Sequence, residues 1–180
     1  MKTKICIDAG HGGGAPGAVN GAYKEKVAAL SIAKKLRDKL QMWGFEVIMT
    51  RTSDKDVTLK ERCDIANKNN VDAFISVHLN AAEAKAAHGI ETWKFYKTGA
   101  FTRVLADNIQ EQLIIATKAK SRGVKESNNF YVLKNTKCPA ALVECGFISN
   151  DAECEKLFNS AYQDNIANGI AAGIVRSFAK

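Results

Sequence analysis

Short apolar runs alternate with amphipathic stretches along the chain, and this alternation restricts the fold more than any other feature of the sequence. Runs typical of strands cover residues 4–8, 45–50, 72–79, 90–96, 130–133 and 140–144. Apolar residues at helical spacing cover residues 27–40, 58–69, 101–118 and 166–178. Strands that alternate with helices favour parallel pairing. The sequence therefore predicts an α/β fold: a mostly parallel, twisted sheet of about six strands, flanked by helices on both faces.

The bulk composition indicates one domain over residues 1–180, because no low-complexity tract or proline-rich linker divides the chain. The five cysteines form no C-x-x-C pair, so we expect free thiols rather than disulfides or a cysteine zinc knuckle. No apolar run approaches the ~20 residues of a membrane span. The N-terminus lacks a signal-peptide pattern, so we expect synthesis in the cytoplasm without one. The net charge of +7 favours an anionic partner, for which nucleic acid and a bacterial wall are both candidates.

Chemically capable side chains stand where three of the apolar runs end. His11 follows the first run, inside a loop at residues 10–21 that contains six glycines. His78 ends the third run, with Asn80 two residues later on the same face, and Glu144 ends the last run. Ligands bind at the carboxyl ends of strands in such sheets, so we expect these side chains to meet at one rim.

A zinc site is one explanation of this set of residues, although no H-E-x-x-H motif is present. Catalytic zinc takes three protein ligands and keeps one open position, and His11, Glu25 and His78 supply two histidines and a carboxylate. Glu144 is then the nearby carboxylate that accepts a proton from water and passes it to the leaving amine. Each residue also has an ordinary structural interpretation: a loop histidine, a core histidine, or a carboxylate favoured at a helix start. Glu144 is the hardest to explain without a cation or hydrogen-bond donors.

Several ordered blocks of the sequence resemble the zinc amidases of the N-acetylmuramoyl-L-alanine amidase type, the Amidase_3 group. The blocks are Ile7-Asp8-Ala9-Gly10-His11-Gly12-Gly13, Thr50-Arg51, Leu59-Lys60-Glu61-Arg62, Ser76-Val77-His78-Leu79-Asn80-Ala81, Gly89-Ile90-Glu91-Thr92, Arg122-Gly123-Val124-Lys125 and Val143-Glu144-Cys145-Gly146-Phe147-Ile148-Ser149-Asn150. The resemblance covers nearly the whole chain. It places the family's zinc ligands on His11, Glu25 and His78 and its catalytic glutamate on Glu144.

The resemblance implies a peptidoglycan hydrolase that uses one Zn²⁺ and a glutamate general base. Its bond would be the amide between the lactyl group of N-acetylmuramic acid and the L-alanine of the stem peptide. We expect Asn80 to line the substrate groove, bacterial peptidoglycan to be the partner, and the basic surface to contact anionic wall polymers. We expect a monomer without nucleic-acid or membrane partners and without a separate wall-binding domain. Such an enzyme acts on the wall after its release from the cell.

Three alternatives remain at this point. Gly12, Gly14 and Gly17 fit a G-x-G-x-x-G pattern, but helical periodicity begins only near Lys24, so a dinucleotide site is disfavoured. A zinc peptidase acting on wall peptides would share the metal chemistry and differ in the amide that it cuts. A non-catalytic module that binds the wall or nucleic acid would need no carboxylate such as Glu144 beside a metal. His88 and Arg122 carry no role that the sequence defines, and we expect His88 to be an exposed loop residue.

Overall fold

The computed structural model describes residues 2–179 of the chain. The strands are β1 (Lys4–Ala9), β2 (Val19–Asn20), β3 (Tyr23–Lys24), β4 (Glu46–Met49), β5 (Ala73–Asn80), β6 (Ile90–Phe95), β7 (Ser121–Ser127) and β8 (Ala140–Phe147). The helices are α1 (Glu25–Met42), α2 (Leu59–Lys68), α3 (Ala100–Thr117), α4 (Tyr131–Asn135), α5 (Asp151–Leu157) and α6 (Ser160–Phe178).

Six of the strands form one sheet in the order β4-β1-β5-β8-β6-β7. All neighbours in this sheet pair in parallel except β6 and β8, which are antiparallel. The glycine-rich loop after β1 ends in a small antiparallel ladder of β2 and β3. The predicted α/β fold with a six-stranded, mostly parallel sheet is confirmed.

Successive side chains of the central strands enter two separate cores, one on each face of the sheet. Ile7 and Ile75 belong to the core that also contains residues of α1, α3 and α6. Cys6, Phe74 and Leu142 belong to the core that also contains residues of α2 and α4. A strand covered on both faces needs apolar residues at nearly every position, which explains the continuous apolar runs of β5 and β8.

Two sequence expectations about local structure were wrong. The segment at residues 130–133 is not a strand, because α4 begins at Tyr131 and directs Val132 and Leu133 into the core beside α2. The sixth strand of the sheet is instead β7, a polar segment at the edge that the apolar pattern did not reveal. A run of four apolar residues fits a buried helical turn as well as a strand.

Two expectations drawn from composition can be compared with the structure. All five cysteines are free, and four of them are buried. Within residues 2–179, no helix combines the length and the apolar character that crossing a membrane requires.

Candidate metal centre

The carboxyl ends of β1, β5 and β8 lie together at one edge of the sheet, which we call the rim. The side chains discussed below lie at this rim, on the face of the sheet that α2 and α4 cover. The register of β5 and β8 places His78 directly beside Glu144. Leu142 precedes Glu144 by two residues on the same face and belongs to the core beneath the rim. The predicted meeting of His78 and Glu144 at one edge of the sheet is thus confirmed, and the alternation of side chains along each strand places both on the same face.

A buried network of charged and hydroxyl groups lies directly beneath this rim. The Asp8 carboxylate is 1% exposed and accepts hydrogen bonds from Thr50 Oγ1 (2.7 Å), Ser76 Oγ (2.7 Å) and Arg62 Nη1 (2.6 Å). A carboxylate removed from water is stable only when its oxygens are satisfied in this way. The network ties β1, β5 and α2 together immediately below the candidate site.

Two buried guanidinium groups fix the backbone that carries His11. Arg62 Nη2 donates to the His11 carbonyl (2.7 Å), while Arg51 donates to the carbonyls of Ala9 (2.8 Å) and Gly10 (2.7 Å). His11 has a φ of 58°, a left-handed conformation that costs a residue with a side chain about 1–2 kcal/mol. These donors hold the strained turn in place, so the ring of His11 points to the rim.

Glu25 lies at the centre of the candidate site. It is the first residue of α1, and its carboxylate reaches both histidines: His11 Nε2 lies 3.1 Å from Oε2, and His78 Nδ1 lies 2.9 Å from Oε1. The backbone amides of Ala18 and Leu79 donate to the same two oxygens at 2.8 and 3.0 Å. One ligand atom from each of the three residues lies within 4.8 Å of the other two.

The electrostatics of this cluster favour an ionised carboxylate. Burial by itself would raise the pKa of Glu25, but the hydrogen bonds and charges of His11 and His78 lower it well below its ordinary value. For His78, burial opposes the charged ring, yet the hydrogen bond with Glu25 raises the pKa above its ordinary value. The pocket therefore provides a negative group between two imidazoles, which is the environment that a cation would enter.

The glycine-rich loop leaves room for this arrangement. Gly17 has a φ of 71°, and a Cβ there would lie 2.5 Å from Glu25 Oε2 and 2.7 Å from His11 Cδ2. A Cβ at Gly10 would overlap the ring of His78. Both glycines are thus required because the backbone passes directly against the candidate ligands.

Glu144 differs from the other carboxylates of the rim. It is 9% exposed, and its Oε2 has no hydrogen-bond partner among the residues that the structure describes. Burial is the largest influence on it, and the negative charges of Glu25 and Glu91 act in the same direction. Together they raise the pKa of Glu144 to about 7 in spite of the opposing effect of His78. Such a carboxyl group is suited to exchange protons near neutral pH.

Asn80 and Glu91 extend the rim beyond Glu144. Asn80 Nδ2 donates to Glu91 Oε1 at 2.9 Å, and its place in a substrate groove stays a prediction. Sequence reasoning missed Glu91, which stands opposite Glu144 across the antiparallel pair of β8 and β6. Because β6 runs in the opposite direction, its beginning meets the rim, whereas the strand-end rule examined only carboxyl ends. The available signal was an acidic residue inside a predicted strand.

Two clefts on the surface differ in volume and in the residues that border them. A cleft of about 370 Å³ is bordered by His11 and His78, by the beginning of α2 and by Phe130 and Tyr131. A larger one, of about 840 Å³, lies beside α5 and includes His88, which is an exposed loop residue as expected. Volume favours the second cleft, but His11 and His78, two of the three candidate metal ligands, border the first, so we take the smaller cleft as the candidate site.

A largely parallel α/β sheet with two histidines and a glutamate at its carboxyl edge is typical of metal-dependent hydrolases. A family model described as N-acetylmuramoyl-L-alanine amidase matches residues 5–176. The chain is 38% identical over 178 residues to N-acetylmuramoyl-L-alanine amidase CwlM of Bacillus licheniformis, covering 98% of this chain and 69% of that one. It is 35% identical over 188 residues to the germination-specific N-acetylmuramoyl-L-alanine amidase of Bacillus subtilis (strain 168), covering 97% and 79%.

A solved structure agrees with these sequence relatives. The crystal structure of N-acetylmuramoyl-L-alanine amidase from Clostridium difficile 630 superposes with a TM-score of 0.94 at 38% identity, covering 97% of this chain and 96% of that one. The chain therefore belongs to the N-acetylmuramoyl-L-alanine amidase family, and its activity is that of a peptidoglycan amidase.

Proposed function

We propose that the enzyme uses one Zn²⁺ held by His11, Glu25 and His78, with Glu144 as the general base. The bond cleaved is the amide between the lactyl group of N-acetylmuramic acid and the L-alanine of the stem peptide. The observation that carries this proposal is the meeting of two imidazoles and a carboxylate within 4.8 Å, beside a buried carboxyl group with an unpartnered oxygen.

The residues present fit zinc in kind and in position. Neutral imidazole nitrogen and carboxylate oxygen are usual ligands of zinc. Each histidine nitrogen lies near a different Glu25 oxygen, at 3.1 Å for His11 and 2.9 Å for His78, and one possible ligand atom from each of the three residues lies within 4.8 Å of the other two. The Leu79 amide and the Ala18 amide orient Glu25, as the partners of a metal-binding carboxylate usually do.

When bound, zinc supplies Lewis acidity that makes water a nucleophile at neutral pH and polarises a carbonyl. Glu144 accepts the proton of the attacking water through its carboxylate and returns that proton to the departing nitrogen of L-alanine. The unpartnered Oε2 supports this role because no group among the described residues uses its capacity to accept a hydrogen bond. The cleft between α2 and α4 supports binding of an extended glycopeptide past the site.

The wider setting of the enzyme is part of the same proposal. We propose that residues 1–180 act as one zinc amidase catalytic domain, as a monomer, without nucleic-acid or membrane partners. The net charge of +7 supports contact between the surface and anionic wall polymers. The enzyme then acts at the cell wall. Size-exclusion chromatography coupled to light scattering tests the monomer, and the salt dependence of wall binding tests the charge contribution.

The decisive experiment combines metal content with product chemistry. The parent enzyme should contain one zinc per chain, and the variants His11→Ala and His78→Ala should lose both zinc and activity. The variant His88→Ala is the matched control, because this exposed histidine lies outside the cluster and should leave zinc content unchanged. Mass spectrometry of digested walls should show stem peptides with a free L-alanine amino group.

Each competing interpretation gives a different result in this experiment. Full activity of a zinc-free preparation would overturn the metal assignment. Cleavage within the stem peptide would indicate a zinc peptidase. Binding to walls without the release of any amine would indicate a non-catalytic module.

A further inference from the structure

A second cluster of charged residues continues the rim on the side away from His78, and we call Glu91, Arg122 and Lys125 the Glu91 cluster. Glu91 is 3% exposed. Its Oε2 accepts hydrogen bonds from Arg122 Nε (2.7 Å) and Lys125 Nζ (2.6 Å), and its Oε1 accepts them from Asn80 Nδ2 (2.9 Å) and Trp93 Nε1 (3.0 Å). Burial by itself would raise the pKa of Glu91, but the bonds from Lys125 and Arg122 lower it, so the carboxylate is ionised.

The charges of this cluster do not balance. Two cations face one anion, which leaves a net charge of +1. The Arg122 and Lys125 side chains remain 30% and 33% exposed, so the excess positive charge is accessible to a ligand. A guanidinium carries five N–H donors, and Arg122 directs one of them to Glu91 and makes one long contact of 3.4 Å with the His88 carbonyl. Most of its donors are thus available to a second carboxylate.

Aromatic rings hold both cations in fixed positions. The Arg122 guanidinium lies over the ring of Phe147 at 4.8 Å, and Lys125 Nζ lies over the ring of Trp93 at 5.2 Å. A cation over an aromatic face is attracted by the ring and loses conformational freedom. Together with Glu91, these rings orient the cations before any ligand arrives. A cluster needed only to satisfy a buried carboxylate would require one cation rather than two.

The position of the cluster relates it to the candidate metal centre. Glu91 is the register partner of Glu144, and neighbouring strands lie about 4.8 Å apart. Arg122 and Lys125 lie on β7, the next strand outward, so their charged ends are roughly 5–10 Å from Glu144. An extended peptide advances about 3.3 Å per residue. A chain cut beside Glu144 therefore brings the next one to three residues of the stem peptide to these cations.

We propose that Arg122 and Lys125 bind a free carboxylate of the stem peptide, close to the cleaved amide, and that Glu91 is the residue that positions them. This inference rests on the proposed amidase function, because that function determines which molecule lies along the rim. A net charge of +1 matches one carboxylate. The pair would make the enzyme selective for stem peptides whose nearest carboxyl group is free over those in which it is a carboxamide.

The test uses two synthetic muramoyl peptides that differ only in this group, a free carboxylate in one and a carboxamide in the other. Dissociation constants are measured by calorimetry with Glu144→Gln added to every protein compared, so that the peptides are not cleaved during the titration, and kcat/KM is measured by release of amino groups with Glu144 intact. For the parent, we expect both constants to favour the free acid by about tenfold to a hundredfold, the range for one charge-assisted contact. In the double variant Arg122→Gln/Lys125→Gln, both preferences should fall to near one.

A matched control comes from the opposite side of the molecule. Arg176 pairs with Glu111 on the exposed surfaces of α6 and α3, and Arg176→Gln should leave both the activity and the preference unchanged. A parent enzyme that binds the two peptides equally would overturn the inference. So would a double variant that loses affinity for both peptides in equal proportion, because a merely structural cluster behaves in that way. If the parent cleaves neither peptide, the proposed function fails, while the binding ratio still decides the role of the cations.

Discussion

Replacing Glu144 by glutamine removes one proton acceptor from the rim and changes little else. The side chain keeps its shape, and the ligand atoms of His11, Glu25 and His78 are untouched, so zinc should stay bound. A positioned general base contributes about two to four orders of magnitude to a rate. We expect the upper half of this range, because neither neighbouring carboxylate is free to take over: Glu91 accepts four hydrogen bonds and Glu25 contacts both histidines.

A second, independent prediction concerns the thermal stability of the Glu144→Gln variant. In zinc-free enzyme, burial first and then Glu25 and Glu91 raise the pKa of Glu144 from 4.5 to about 7, against the effect of His78. An acid whose pKa is raised on folding binds more protons in the folded state. Its contribution to stability is therefore lost as pH rises from about 4.5 through about 7. Glutamine does not ionise, so the zinc-free variant should gain in Tm relative to the zinc-free parent between pH 5 and pH 8.

The assay measures amine release from purified peptidoglycan, zinc content and thermal unfolding for both proteins in parallel. Turnover of the variant within about threefold of the parent, with zinc retained, would show that Glu144 is not the base. Loss of zinc would place Glu144 among the metal ligands. A variant that loses Tm relative to the parent as pH rises would refute the reasoning about its buried charge.

Two further variants test the support beneath and around the site. Asp8→Asn leaves the buried Arg62 without its carboxylate and should lower the free energy of unfolding by about 3–5 kcal/mol in urea titrations. Asp64→Asn, at an exposed ion pair, should leave the free energy of unfolding nearly unchanged. Gly17→Ala adds a Cβ 2.5 Å from a Glu25 oxygen and should reduce both stability and zinc affinity. Gly21 has a φ of 57° and open space around it, so Gly21→Ala should cost only the backbone strain of about 1–2 kcal/mol. Equal effects within either pair would contradict the argument.

The sequence predicted the helices and strands in which the pattern of apolar residues follows the burial of the side chains. β5 and β8 are covered on both faces, so their apolar runs left little choice of structure, and the strand-end rule then placed His78 and Glu144 at the same rim. Glu25 was the weaker choice from the residues alone, because a carboxylate at a helix start needs no metal, and the resemblance to a family supported it separately. The metal and the role of each residue stay predictions.

The features that the sequence did not predict are the strand at the edge of the sheet and the direction in which one strand runs. β7 contains Ser121, Arg122, Lys125 and Glu126 and lies at the edge, where one side is unpaired and apolar residues are not required. Nothing in the sequence indicates that β6 pairs with β8 in the antiparallel direction. Glu91 and Arg122 reach the rim only because of this antiparallel pairing. Contacts that depend on the direction of strand pairing are set by the tertiary structure, so no hydrophobic periodicity in the sequence predicts them.

The guanidinium groups of Arg51 and Arg62 have a consequence for how the enzyme would acquire its metal. They bind the carbonyls of residues 9–11, and Arg62 also binds Asp8, which is hydrogen-bonded to β5 and to the residue after β4. The turn that carries His11 therefore belongs to the same cooperative unit as the sheet and cannot open locally without breaking buried contacts. A cation arriving at this rim meets ligands that are already ordered, so little conformational entropy opposes its capture. Slow hydrogen exchange in the turn of the metal-free enzyme would be the signature of this preorganisation.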